Sequence, residues 1–207
     1  VTMKLYNSIG PSPRIVRMAA AEKGIALDLV EIDIMGGECR RDPYMAEVNP
    51  LGALPALETD AGQIITEVLA IGEYFEELVP SPPLIGTTPE KRAEARMWAR
   101  RIDLGFATPL TLGFRAAEGR PMFEPRLIVA PEEAAPSLKA MAFWTLDFLN
   151  RQCAARDYVA GATPTMGDIL LLAFVDFAKA VGMDPIGERA WLAAWHARMS
   201  ARPSAAA

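Results

Sequence analysis

Residues 49–68, NPLGALPALETDAGQIITEV, offer backbone chemistry more than side-chain chemistry. Leu54-Pro55 ends a loop and opens a short apolar run, Ala56-Leu57. Asp60-Ala61-Gly62 reverses the chain, and Gln63-Ile64-Ile65 leads into Thr66-Glu67, a polar start for an amphipathic helix. Loop, strand, turn, strand and helix start leave backbone groups open beside Pro55 and N–H groups open at 66–68. Such an arrangement suits a small peptide that carries a free carboxylate. Other reactive side chains are scattered. Cys39 and Cys153 form no metal or CxxC pattern. His196, the single histidine, stands in WHARM near the last residues and reads as a surface residue. One His and two Cys do not supply a structural zinc site.

The elements that must position this stretch follow from periodicity. Residues 3–8, MKLYNS, read as a strand. Pro11 and Pro13 suit a first helical turn, Ile15, Val16, Met18, Ala19 and Ala20 keep helical spacing, and Gly24 suits the C-cap. Residues 27–34, LDLVEIDI, alternate as a strand does, so the start is a βαβ unit with a parallel pair. After a Gly-rich loop, one helical turn is expected at 43–47, and a helix at 66–78. The Pro-rich joint VPSPPLIGTTPEK, 79–91, marks a boundary. It gives an N-terminal domain at 1–79, a linker at 80–90 and a C-terminal domain at 91–207.

Helix signals dominate beyond the joint. One is expected from 89 to 117, kinked or broken at Pro109. Another starts at 132 or 137 and ends at 155, with 119–131 as a loop between them. Thr165-Met166-Gly167-Asp168 is a capping pattern in which Thr165 accepts from a first-turn N–H and Asp168 reaches back. The helix it opens is apolar nearly all round and therefore buried. A last helix spans 188–199. Net charge is −5, which argues against general nucleic-acid binding. No apolar run approaches the roughly 20 residues of a membrane span, and the start shows no secretory signal. Reduced cysteines fit a cytoplasmic setting.

This layout resembles a cytosolic glutathione transferase: an α/β thioredoxin-like N-terminal domain followed by an all-α domain. The resemblance covers residues 3 to 203 and rests on NPLGALPAL (49–57), the Thr66-Glu67 helix start, YVAGATPTMGDI (158–169) and MSARPS (199–204). The branch most similar is the atypical yeast type, which lacks the usual Tyr, Ser or Cys catalytic residue; its first helix also opens with Gly-Pro-x-Pro, as residues 10–13 do here.

The resemblance implies a task, which is to bind glutathione and hold its cysteine as thiolate. A free thiol titrates near about 8.5, so a donor, a cation or a helix N-terminus must stand by the sulfur. Pro55 is expected to be cis, exposing the Leu54 N–H and C=O to the cysteinyl unit. Glu67 would take the γ-glutamyl ammonium, and the Val68 N–H its carboxylate; the family's usual Ser is absent at 68. Arg40 or Arg41, preferably Arg41, would meet the glycyl carboxylate. The register of Arg14, Val16 and Gly24 puts Gly10 where other members carry the active Ser or Cys. Sulfur activation therefore has open candidates: Ser12, which otherwise reads as a plain N-cap; Ser8; or the helix dipole at 11–14 with a held water.

A small hydrophobic electrophile would lie between the domains, near Phe106, Leu110, Phe114 and Arg115, unless the phenylalanines are interhelical core. No metal is implied. The family's habit is a homodimer, with the 66–78 region against the partner's 89–117 helix. Conjugation of glutathione to soft electrophiles is the implied activity, with peroxide reduction as a side activity. The alternative is a binding or regulatory protein that keeps the fold without turnover. A glutaredoxin-like reductase would need a cysteine at the first helix, and residues 8–14 contain none.

Overall fold

Alternating and helical apolar patterns resolve into the elements that the sequence predicts, with adjusted ends. The computed structural model describes residues 2–207, in two compact units. One unit runs to Leu84 and takes back Pro203–Ala207; the other is Ile85–Arg202.

In the first unit β1 (Met3–Asn7), α1 (Pro11–Lys23) and β2 (Leu27–Glu31) form the βαβ start. Met3 pairs with Leu27 and Asn7 with Glu31 in parallel register. Gly24, at φ 65°, closes α1 in the left-handed conformation that a side chain would strain. A single turn, α2 (Tyr44–Glu47), precedes β3 (Ala56–Glu58), β4 (Ile64–Thr66) and α3 (Val68–Leu78). The sheet order is β2-β1-β3-β4, with β3 antiparallel to both neighbours. This is the thioredoxin-like arrangement. Thr66 ends β4 instead of opening the helix, which starts at Val68. Leu5, Ile15, Met18, Leu57, Ile71 and Phe75 are fully buried between sheet and helices.

At the far end of α1 and α3 a buried ion pair joins Lys23 and Glu76 at 2.6 Å. Lys23 Nζ also donates to the carbonyls of Val79 and Pro82, and Glu76 accepts from the Leu84 N–H. Every charge is thus met by a partner, which a buried pair requires. The Ala-rich tail is ordered as well. A short 3-10 turn at Pro203–Ala206 lies on α1, where Arg14 donates to the Ala205 carbonyl and Ser204 to Glu22.

The second unit is all helical. α4 (Pro89–Ile102) is capped by Thr88, whose hydroxyl accepts from the Lys91 N–H. The expected break near Pro109 is a wide π turn at Asp103–Ala107, one turn upstream of the proline, before α5 (Thr108–Ala116). Pro109 has no N–H to give to the Gly105 carbonyl four residues back. Thr145 supplies the missing donor at 2.8 Å. A Cβ on Gly105 would stand 2.7 Å from that hydroxyl, so glycine permits the approach. The loop at 119–131 holds one further turn, α6 (Arg120–Phe123), and α7 spans Ala135–Gln152.

α8 (Met166–Ala180) is buried over most of its length, and α9 (Ala190–Ser200) packs on it. Asp168 has no exposed surface and accepts four hydrogen bonds. They come from the N–H groups of Val159 and Thr165, the Thr165 hydroxyl and the Trp195 indole, all at 2.8–2.9 Å. The Thr165 hydroxyl therefore donates to Asp168. Burial pushes this carboxyl above its ordinary range, and the four donors pull against that shift. His196 is no free surface residue: its Nε2 lies 2.7 Å from Asp176 Oδ1.

Asp168→Ala would orphan buried donors on three separate segments. Urea unfolding should show a loss of about 3 kcal/mol or more; a loss under about 1 kcal/mol would contradict this role.

Candidate functional site

Strand register gathers the predicted residues of the first unit at one end of the sheet. Tyr6 pairs with Ala56, and Ala56 with Thr66. The next residues outward are Asn7, Pro55 and Glu67, followed by Ser8, Leu54 and Val68. The chain turns from Ser8 through Gly10 into α1, and from Glu67 into α3. Two helix N-termini and the Leu54-Pro55 corner therefore share one edge.

The Leu54-Pro55 peptide is cis, as the resemblance implies. Among the described residues no backbone hydrogen bond outside the helices and strands ends on Leu54. Glu67 has φ 68° and ψ 120°, and it is the only non-glycine with positive φ among the described residues. A β-carbon in that region costs about 1–3 kcal/mol, and such residues cluster at ligand clamps. The strained turn opens α3 with no side-chain cap and no acidic residue in the first turn. Its first N–H groups, on Val68, Leu69 and Ala70, point outward from the helix end.

α1 is stripped further. Gly10 is its N-cap, at φ 120° and ψ 168°, with no side-chain cap and no acid in the first turn. Pro11 and Pro13 carry no N–H. Of the first four donors of the helix, only the N–H groups of Gly10 and Ser12 remain. Ser12 is the second helical residue, so it does not serve as the N-cap. Its half-buried hydroxyl shares one residue with an open N–H. Ser8 is buried at the end of β1. Three helices of the second unit begin differently. Thr88 caps α4, Asp168 boxes α8, and Asn150 of α7 accepts from the Trp191 and Leu192 N–H groups of α9.

Arg40 and Arg41 are partly committed to the loop around them. Arg40 donates to the Leu51 carbonyl at 2.8 Å, and Arg41 to the Gly36 carbonyl at 3.1 Å. Each guanidinium has further N–H groups to offer. A Cβ on Gly52 would stand 2.7 Å from the Arg40 side chain, so glycine lets that arm cross the loop.

Two residues not anticipated from sequence support the corner. Tyr44 Oη and Asn49 Nδ2 both donate to the Ala53 carbonyl. An Asn opening a loop is an Asx-turn signal that points to Asn49; nothing local announces Tyr44. Beneath the edge, Arg17 donates to Asn7, which donates to Glu31.

In the second unit Phe106 and Leu110 have no exposed surface and pack as core. They cannot meet a ligand unless the helix moves. Phe114 is half-buried, edge-on to Phe123 and Phe177. The Arg115 guanidinium lies over the Phe123 ring at 4.8 Å. Among the described residues no group of three or more His, Cys, Asp or Glu is placed to hold a metal ion, and no helix is long and apolar enough to cross a membrane.

Known proteins share this design. The family model for the glutathione S-transferase N-terminal domain matches residues 7–83, and that for the C-terminal domain matches 132–198. Glutathione S-transferase 2 of Saccharomyces cerevisiae is 32% identical over 98% of this chain and 87% of its own length. A solved glutathione S-transferase domain-containing protein of Marinobacter aquaeolei is 34% identical, with TM-score 0.90 over 97% of this chain and 98% of that one. Gtt2 of Saccharomyces cerevisiae matches at 32% identity and TM-score 0.90, covering 97% of both chains. The chain belongs to the glutathione S-transferase family of enzymes. Its likeness to the yeast proteins sets it beside the yeast-type branch.

Gly10 has nothing within 4 Å of an added Cβ, so the obstacle to a serine there is the backbone, not space. Gly10→Ser should cost about 1–3 kcal/mol in urea unfolding and bring no gain in turnover. A variant as stable as the parent and faster would overturn that account.

Proposed function

We propose that the protein conjugates the glutathione thiolate to soft electrophiles. The observation that carries the reading is Glu67, held at positive φ on the uncapped start of α3, across the hairpin from cis-Pro55. In this reading the Leu54 backbone pairs with the cysteinyl unit. The Glu67 carboxylate takes the γ-glutamyl ammonium, and the Val68 N–H the neighbouring carboxylate. Arg41, or Arg40, meets the glycyl carboxylate with the donors not spent on the loop.

The sulfur then faces the start of α1. The Gly10 and Ser12 N–H groups and the helix dipole stabilise the thiolate, aided by the Ser12 hydroxyl or a held water. Ser8, buried at the end of β1, is the weaker candidate. The thiol proton passes to water. The thiolate attacks the electrophilic carbon, a C–S bond forms, and with an aryl halide the halide leaves. Phe114 and Arg115 are the electrophile residues we favour, with Phe106 and Leu110 packed behind them on the same helical stripe. The protein's own thiols are poor rivals. Burial pushes the Cys153 thiol up to about 11, and both cysteines are buried and outside any disulfide, which suits the cytoplasm we propose.

Gly10 favours a second reading, a glutathione binder without turnover, because the register of the usual activating side chain is empty. We also propose a homodimer. Met97 on α4, Leu104 in the π turn, and Met141 and Trp144 on α7 expose large apolar side chains that a second copy would cover.

Retention on glutathione resin and conjugation of chlorodinitrobenzene separate the readings. Binding without turnover across several electrophiles selects the second, and failure to bind removes the site. Glu67→Ala should lose resin retention. Ser12→Ala should stay bound and lose only about five- to tenfold in kcat/KM, since the N–H groups remain. Sedimentation velocity should show a species of twice the chain mass, and Trp144→Glu should shift it toward the monomer.

A further inference from the structure

We propose that Tyr44, together with Asn49, is a positioning residue that aims the Leu54 N–H at the cysteinyl carbonyl of glutathione. The inference rests on the reading of Leu54 given above. It starts from the Ala53 carbonyl, which accepts from Tyr44 Oη at 2.8 Å and from Asn49 Nδ2 at 2.9 Å. A carbonyl oxygen has two lone pairs, and both are now engaged. The Ala53-Leu54 peptide is not among the cis bonds of the chain. In a planar trans peptide the C=O and the following N–H point in opposite directions. Pinning the Ala53 oxygen from one side therefore fixes the Leu54 N–H toward the other. Two donors on the carbonyl also polarise the amide and sharpen that N–H as a donor.

Both arms are themselves held. Tyr44 is 4% exposed, sits edge-on to Tyr6 at 5.8 Å, and packs with Ile32 and Cys39. Its carbonyl accepts from the Val48 and Asn49 N–H groups, which closes α2 beneath it. Burial pushes the phenol above its ordinary pKa, so the proton that makes the bond stays in place across working pH. Asn49 Oδ1 accepts from the Leu51 N–H at 3.0 Å, which leaves the Nδ2 end for Ala53. Tyr44 touches no atom of the substrate. It acts through a peptide plane one bond away from the contact, and its phenyl ring alone would not suffice.

The test uses calorimetric binding of S-methylglutathione and of its trans-alkene isostere, in which the cysteinyl–glycyl amide becomes a planar C=C with no acceptor. The native protein should bind the isostere more weakly. Tyr44→Phe keeps the ring and removes the donor. It should weaken S-methylglutathione about fivefold and leave the isostere within about twofold, with KM for glutathione raised and kcat kept. Equal weakening of both ligands would mean general loop support, and no weakening of either would mean no role; both overturn the proposal. Equal binding of the two ligands by the native protein would instead remove Leu54 from the site, and the proposal with it. Should Tyr44→Phe fail to fold, Asn49→Ala removes the second donor, and the same comparison decides.

Discussion

A helix that begins without a cap leaves N–H groups that must find an acceptor, and α1 and α3 both begin that way at one edge of one sheet. The other features of the first unit follow from this debt. Prolines at 11 and 13 thin the donors of α1 to those on Gly10 and Ser12, so only those two hydrogens are left to meet an acceptor. Glu67 accepts an unfavourable backbone so that β4 can turn straight into α3. The cis corner at 54–55 brings an open peptide edge beside both. An anion-bearing peptide would satisfy all of these groups at once, and in the function proposed above recognition is carried mainly by backbone.

Backbone recognition demands rigid support, because no side-chain rotamer can correct a misplaced peptide. The supports are polar and sit one step behind the edge. Arg40 ties the first loop to Leu51, Tyr44 and Asn49 hold Ala53, and Arg17 and Asn7 brace the end of β1. Three helices of the second unit, α4, α8 and α9, follow the opposite rule. There Thr88, Asp168 and Asn150 close helix starts from within, and the energy goes into a packed bundle.

Much of this was legible in the residues. Pro55, Gly24, the Asp60-Ala61-Gly62 turn and the Thr165–Asp168 pair act locally, within a few residues, and their chemistry reads directly. Partners distant in sequence did not read. Tyr44 meets Ala53 and His196 meets Asp176 only because the fold brings them together. The π turn lies ahead of Pro109, and the donor that meets the Gly105 carbonyl is Thr145, on another helix forty residues away. Phe106 and Leu110 lie on the stripe expected to face a ligand, but that stripe is core at its inner end. The positive φ at Glu67 had no glycine to announce it.

The return of Pro203–Ala207 to α1 bears on biosynthesis. The sheet, α1 and α3 leave the ribosome early, yet Arg14 and Glu22 meet their partners at 205 and 204 only after the whole helical unit has been made. The first unit is thus discontinuous in time as well as in sequence. Its helix with the bared donors receives this brace only after the helical unit has been synthesised, which couples the finished α1 to a segment that lies beyond a whole second unit in sequence.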